Sequence, residues 1–483
     1  MSTKRLPAGQ SLSRRRFFKM ASGATVAAAG MGVLPNPFKK LLTPFGVSEA
    51  HAAPNDPPQL YYAGTDGWIS LPKAPAIFSE SLGVETHPDP LAPDAKFSTY
   101  IFGFRDVTNL SDAQRAAQKN HAQHSAPMFW LDQFNPAAPV NFRVQLTNLG
   151  LALRPDLFDA HTIHWHGFRN VITFFDGEPT GSVAVTTGRT FQYIYRPRDP
   201  GTYMFHCHVE DTEHVHMGMT GPVFVRPIQN GQSIGGFTKF AYNDGDGSTG
   251  YNREFAMFCS EVWCDSHWAD AHIQLPEWTD YRADFSLLNG RVYPDTVAPH
   301  APMVLPAGKT WADMHSLPVQ TNADGDLIAP AGNDHLQYQP LSALVTCNAG
   351  ERVLLRFANL GFREAAMTLA GIKMKVVGKD ATLMRGRTGA DSSYMASVVS
   401  FGAGESIDAI FTAPAFSGGT GSSGQGYDTY VLYDRAYERS NNLAATLPTE
   451  GALPFGGRRT EVRVYPSGVA AQNFPNDLGG VAV

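Results

Sequence analysis

The segment VNFRVQLTNLG at positions 140–150 returns as ERVLLRFANLG at positions 351–361. Such a recurrence restricts the chain to architectures in which one strand-and-turn module is built twice. Around both copies run short stretches of alternating apolar and polar residues, among them TFQYIYRP, GPVFVRP, SIDAIFTAP, DTYVLYD and TEVRVYP, separated by Gly, Pro, Asn and Asp. Alternation with a period of two marks strands buried on one face, so the pattern predicts an all-β fold of sandwich domains. The one helix with much weight is predicted over LSDAQRAAQKNHAQ, opened by Ser111 with Asp112 behind it.

The two copies have different fates. In the first, the repeated strand is followed by HTIHWHGF, TTGRTFQYIYRP and TYMFHCH; in the second, by AAMTLAGI, GAGESIDAIFTAP and TYVLYDR. Setting Gly167 against Gly371 places Ala365, Thr368 and Ala370 where the first copy has His161, His164 and His166. Setting Thr202-Tyr203 against Thr429-Tyr430 places Tyr433, Asp434 and Arg435 opposite His206, Cys207 and His208. The chemistry therefore belongs to the first copy, and the second is read as structural. A break at VRPIQNGQSIGGF predicts a first domain over 55–229 and a second over 230–483, the latter with a long insert of loops or short hairpins from 300 to 340.

A metal cycling between two oxidation states suits a compromise donor set, and copper favours one thiolate, two imidazoles and a weak axial thioether. Cys207, His161, His214 and Met219 offer that set, with His216 and Met217 as rival ligands close by. Because strand side chains alternate, His206 and His208 point away from Cys207, and His164 and His166 share one face. Those four imidazoles define a second copper location, joined to the first through the backbone of residues 206–208. Zinc, the main competitor, fits one Cys, two His and a placed Met less well.

The motifs HTIHWHG, FDGEP, GTYMFHCH and HVHMGM resemble the multicopper oxidases and their laccase, ceruloplasmin and copper nitrite reductase relatives. The resemblance implies two cupredoxin-like Greek-key β-sandwich domains, the second without copper ligands. It assigns His161, Cys207, His214 and Met219 to a type 1 copper, and His164, His166, His206 and His208 to half of a type 2/type 3 cluster. Asp176 stands where the family keeps an acid beside the oxygen-reducing cluster, which implies a catalytic role in proton delivery. Two departures are visible. Position 212, five after the Cys, is Thr, so His214 restores the pattern only through a two-residue insertion; and the second domain has no HxH pair.

The expected function is an exported copper-dependent oxidoreductase, with electrons entering at the type 1 copper and passing to the His-ligated copper, and oxygen as acceptor. Its donor would be a small molecule, a metal ion or a redox protein. The alternatives are a nitrite-reductase-like enzyme, with His300 or His335 offered by a neighbouring subunit, and a non-enzymatic type 1 electron-transfer or copper-binding protein. A homotrimer is implied by the resemblance as the easiest way to complete half a cluster.

The N-terminus reads SLSRRRFFKM before an Ala- and Gly-rich stretch and EAHAAP, a pattern expected of a twin-arginine signal over 1–52 and a periplasmic or otherwise exported protein. Without those residues the formal charge moves from −6 to about −13, which argues against nucleic acid as a partner. No later stretch is apolar enough for stable membrane insertion. Four Cys remain. If EFAMFCSEVWC is one strand, Cys259 and Cys264 lie ~16 Å apart and cannot bridge, while either is left free to meet Cys347.

Overall fold

Alternating burial along FRVQLTNLG, with Phe142, Val144 and Leu146 inward, shows the first copy of the repeat acting as an inner strand. The computed structural model describes residues 56–72, 89–93, 98–169, 172–418, 424–436, 439–440 and 456–481. The predicted signal segment 1–52 lies outside these. The first eight strands are β1 (Leu60–Ser70), β2 (Ser98–Asp106), β3 (Phe129–Asp132), β4 (Phe142–Gly150), β5 (His164–His166), β6 (Thr190–Tyr195), β7 (Gly201–His206) and β8 (Thr220–Arg226). They form two four-stranded sheets, ordered β2-β1-β4-β6 and β3-β8-β7-β5.

The next twelve are β9 (Arg253–Val262), β10 (Phe285–Leu288), β11 (Val345–Asn348), β12 (Arg352–Asn359), β13 (Ala365–Leu369), β14 (Met374–Lys379), β15 (Thr382–Leu383), β16 (Tyr394–Ala396), β17 (Val398–Phe401), β18 (Ser406–Thr412), β19 (Asp428–Asp434) and β20 (Arg459–Tyr465). They make a seven-stranded and a five-stranded sheet. The ladders repeat. β1 runs parallel to β4 and β4 antiparallel to β6, just as β9 runs parallel to β12 and β12 antiparallel to β18. The chain β3-β8-β7-β5 returns as β11-β20-β19-β13 with the same directions. Parallel neighbours cannot be joined by a tight hairpin, so each module needs long crossovers, and these carry the site loops.

Each pair of sheets closes on its own core. Tyr62, Phe102 and Val144 meet Phe129, Trp165, Phe205 and Val223 in the first, and Phe255, Leu355 and Phe411 meet Met367, Leu432 and Val462 in the second. At about 1.5–3 kcal/mol for each fully buried large apolar side chain, these cores dominate the fold's stability. A buried polar seam joins the two modules. Thr202 of β7 donates its hydroxyl to Asp408, 2.5 Å away, and its carbonyl accepts from the Ser406 hydroxyl at 2.6 Å. The strand that leads to Cys207 is thus clamped onto β18.

Three local expectations change. Helix α1 spans only Asp112–Ala116; Ser111 and Gln114 form its capping box, and the chain leaves the helix before Asn120 at φ 68°. Two more helices form, α2 (Asp211–Met217) and α3 (Cys264–Ala271). EFAMFCSEVWC is not one strand, since β9 stops at Val262 and Cys264 opens α3. All four cysteines are free and buried. No described helix is long and apolar enough to cross a membrane.

Candidate metal centre

Cys207 follows directly after β7, and its position is set by backbone bonds. Its N–H donates to the Met219 carbonyl at 3.0 Å, and the Met219 N–H donates to the His214 carbonyl at 2.9 Å. These two bonds fold α2 back so that His214 Nδ1 lies 3.2 Å from Cys207 Sγ. His161 arrives from the β4–β5 crossover, held by a reciprocal backbone pair with Val185, and its Nδ1 is 4.0 Å from the same sulfur. A Cβ on Gly64 would lie 2.7 Å from the His161 ring, so only glycine leaves room for it. The donor atoms of His161, Cys207 and His214 lie within 4.8 Å of one another, and Met219 is fully buried in the same core cluster.

Burial by itself would raise the Cys207 pKa, but the His214 charge and the hydrogen bonds from His161 and His214 outweigh it and hold the thiol well below its ordinary value. His214 is pushed up to about 10, burial opposing and the Cys207 and Asp159 contacts favouring the charge. The contacts favour the thiolate paired with the imidazolium, and the thiolate is the form in which sulfur binds a metal.

His164 pairs with His206 across β5 and β7, which brings a second group together. Donor atoms of His164, His166 and His206 lie within 4.8 Å of one another, and His208 joins with its ring centroid 4.9 Å from that of His164. His164 Nδ1 bonds the Asp176 carbonyl and His206 Nδ1 the Cys207 carbonyl, both at 2.7 Å. Fixing one ring nitrogen on a carbonyl leaves the other free as a ligand, the usual support for a metal-binding imidazole. Burial pushes His206 down to about 3 and lowers His164 and His166, so these rings keep their lone pairs. The Asp176 carboxylate is 3.7 Å from His164 Nδ1, so this residue acts on His164 through its backbone carbonyl first.

The residues fit copper on the chemistry of the donor sets: a thiolate with two imidazoles and a thioether at one, and four clustered imidazoles, two of them anchored on backbone carbonyls, at the other. The rival His216 points elsewhere. Its Nε2 accepts from the Trp263 N–H at 3.1 Å, among the rings of His267, Trp278, Tyr281 and Phe362. His121 lies 2.7 Å from Asp326, and His124 Nε2 lies 3.2 Å from the Ser260 hydroxyl. His300 has both ring nitrogens engaged, by Ser342 N–H and the Asn476 carbonyl, and His335 faces Asp295.

Sequence reasoning missed Asp159, whose Oδ2 is 3.4 Å from His214 Nε2, and Thr162, whose hydroxyl accepts from the His208 N–H at 2.8 Å. No spacing rule marks either; only their proximity to HTIH could have drawn notice. In the second module Thr368 stands opposite Tyr433, the register in which His164 stands opposite His206. Among the described residues, the groups of His, Cys and acids that could hold a metal all fall between Asp159 and His214. An open cleft beside His166 is lined from the second module by Asp380, Gly404 and Glu405.

Residues 123–230 match the family model described as multicopper oxidase. A search among curated protein sequences finds no significant match. Similar solved structures include the multicopper oxidase mgLAC, at 18% identity over 84% of each chain with a TM-score of 0.49. Others are a blue copper oxidase from Nitrosomonas europaea, at 16% identity over 84% of this chain and 85% of that one with a TM-score of 0.46, and a copper nitrite reductase from the same organism, at 13% over 82% and 94% with 0.43. The family match covers the segment that holds all eight candidate ligands, and it identifies that segment as a multicopper oxidase domain, a module of oxidoreductases.

Proposed function

We propose that the chain is an exported copper-dependent oxidase whose electrons enter at the His161, Cys207, His214 and Met219 set and leave at the His164, His166, His206 and His208 set, with oxygen as acceptor. Copper at these sets would supply one-electron redox chemistry. The observation that carries the reading is the link between them: His206 and His208 flank Cys207 in sequence, and His206 donates to the Cys207 carbonyl. The chain's own part is to hold the thiolate dry, to disfavour protons on His164, His166 and His206, and to present the Asp176 carboxylate beside His164 as a proton carrier.

The second set is half of what the resemblance leads one to expect, and His166 is exposed. Completion by a second copy in a trimer, a division of the chain at 229/230, and export through the twin-arginine route belong to the same proposal; the last rests on the sequence of residues 1–52. The nitrite-reductase reading loses support because His300 is already engaged on both nitrogens. The non-enzymatic reading gains it from the second module's lack of ligands. Copper stoichiometry, an electron spin resonance spectrum and oxygen uptake with phenolic, metal-ion and protein donors separate these. More than one copper per chain with oxygen uptake is expected; one copper and no uptake would leave the electron-transfer reading.

A further inference from the structure

The turn that closes each copy of the repeat does the same work twice. Asn148 Oδ1 accepts from the Gly150 N–H at 2.8 Å, and its Nδ2 donates to the Asp159 carbonyl at 2.8 Å. Asn359 Oδ1 accepts from the Gly361 N–H at 2.9 Å, and its Nδ2 donates to the Arg363 carbonyl at 2.8 Å. Asp159 and Arg363 are therefore counterparts, and they keep the same offset as Gly167 and Gly371. The scaffold is retained while the side chain changes from anion to cation, and it does so in the copy that has lost its ligands.

Asp159 faces a ligand. Its Oδ2 is 3.4 Å from His214 Nε2, while the other nitrogen of that ring faces Cys207 Sγ at 3.2 Å. A carboxylate only accepts, so Nε2 carries a hydrogen, and Nδ1, which faces the thiolate, is the nitrogen that would give up its proton to a metal. His161 has no such support, since its Nε2 is buried without a partner. The two imidazoles are thus unequal. Asn148 also donates from Nδ2 to the Val185 carbonyl, and Val185 holds His161, so one buried amide fixes the acid and one ligand together.

We propose that Asp159 is a positioning residue for the first donor set: it fixes the tautomer and plane of His214, and its negative charge favours the oxidised form of the metal held there. This rests on the reading of His161, Cys207, His214 and Met219 as a copper set. The test uses the full-length copper-loaded protein and its Asp159→Asn, Asp159→Ala and Asp159→Glu variants. Redox titration of the blue band and nitrogen NMR of the His214 ring in the diamagnetic copper(I) form are the readouts. Asp159→Asn is expected to keep the blue band while its exchange equilibrium with a one-electron donor shifts roughly tenfold towards reduction, about 59 mV. Asp159→Ala should also lose the protected Nε2–H signal, and Asp159→Glu should restore both. Wild-type potential and His214 signals in Asp159→Asn and Asp159→Ala would overturn the role of Asp159 alone. Loss of fold in all three variants alike, read by circular dichroism, would reduce the residue to a structural one and overturn it too. A wild-type chain that binds copper without a blue band would overturn the underlying functional reading and this proposal with it.

Discussion

Asp434 follows Tyr433 in the second module as Cys207 follows His206 in the first, and the Arg458 guanidinium meets it at 3.0 Å in a fully buried pair. Arg458 also reaches Glu261 at 3.6 Å. Where one copy keeps a thiolate, the other has filled the place with fixed, compensating charge. Breaking a buried pair by removing one partner leaves an uncompensated ion, at a cost of about 3–5 kcal/mol. Arg458→Met should lower the urea-unfolding free energy by that amount without touching any candidate ligand. Adding Asp434→Leu should recover part of the loss, the remainder being the buried Glu261 carboxylate left without its cation. Equal destabilisation in the single and double variants would contradict the account.

Acid should destabilise the protein from about pH 6.5 downward. Burial pushes His124 down to about 3 and His267 and His300 to about 4. The geometry at His300 shows why: Nδ1 accepts from the Ser342 N–H while Nε2 donates to the Asn476 carbonyl, so a second proton must break a buried bond. Folded pKa values lie below the unfolded value near 6.5, so the native chain binds fewer protons than the unfolded one between them. The stabilisation is complete above that pH and falls as the pH drops towards 4, at about 1.4 kcal/mol per pH unit for each imidazole. Urea midpoints at about pH 7.5, 6 and 5 check this, and His300→Gln should flatten the slope.

The strand ladders and the clustering of both candidate donor groups were legible because side-chain alternation and an internal repeat leave their mark in linear order. Two-residue spacing put His164 and His166 on one face, and two alignments set Thr368 against His164 and Tyr433 against His206, residues that the ladders pair in the same register. The helices α2 and α3 were not legible. EDTEHVHM is polar enough to pass for a turn, and it becomes helical after Glu210 takes a left-handed conformation at φ 46°. FAMFCSEVWC reads as unbroken strand, but the Trp263 N–H goes to His216 instead of a ladder partner, and the chain turns into α3. The Asp159 contact depends on a fold-over between β4 and α2 that no local pattern encodes.

Gly404 should be intolerant of any side chain, with an effect confined to the second donor set. A Cβ there would lie 2.7 Å from His166 Nε2, and the residue sits at φ 76°, a conformation that favours glycine. Gly404→Val should displace His166 and weaken metal retention at its group by about tenfold or more, as loss of ligand positioning commonly does. The blue band from the Cys207 set should be unchanged. Copper counted by mass spectrometry after graded chelation checks both halves, and parallel loss from both sets would show that the substitution merely unfolds the module.

The two donor sets should also be separable from the Cys207 side. Cys207→Ser removes the thiolate that His161 and His214 stabilise, so the blue band should vanish. The Cys207 carbonyl that anchors His206 is a backbone group and survives the change, so the imidazole group keeps its geometry and its copper. His206→Ala makes the opposite cut: the thiolate set and its colour remain while the imidazole group loses its most buried member. If electrons pass between the sets, each variant should drop oxygen uptake to the level of free copper, although each retains one kind of bound metal. Uptake that persists in Cys207→Ser with a donor accepted by the wild type would mean that the His164 and His206 group takes electrons directly, and the link through residues 206–208 would have no part in turnover.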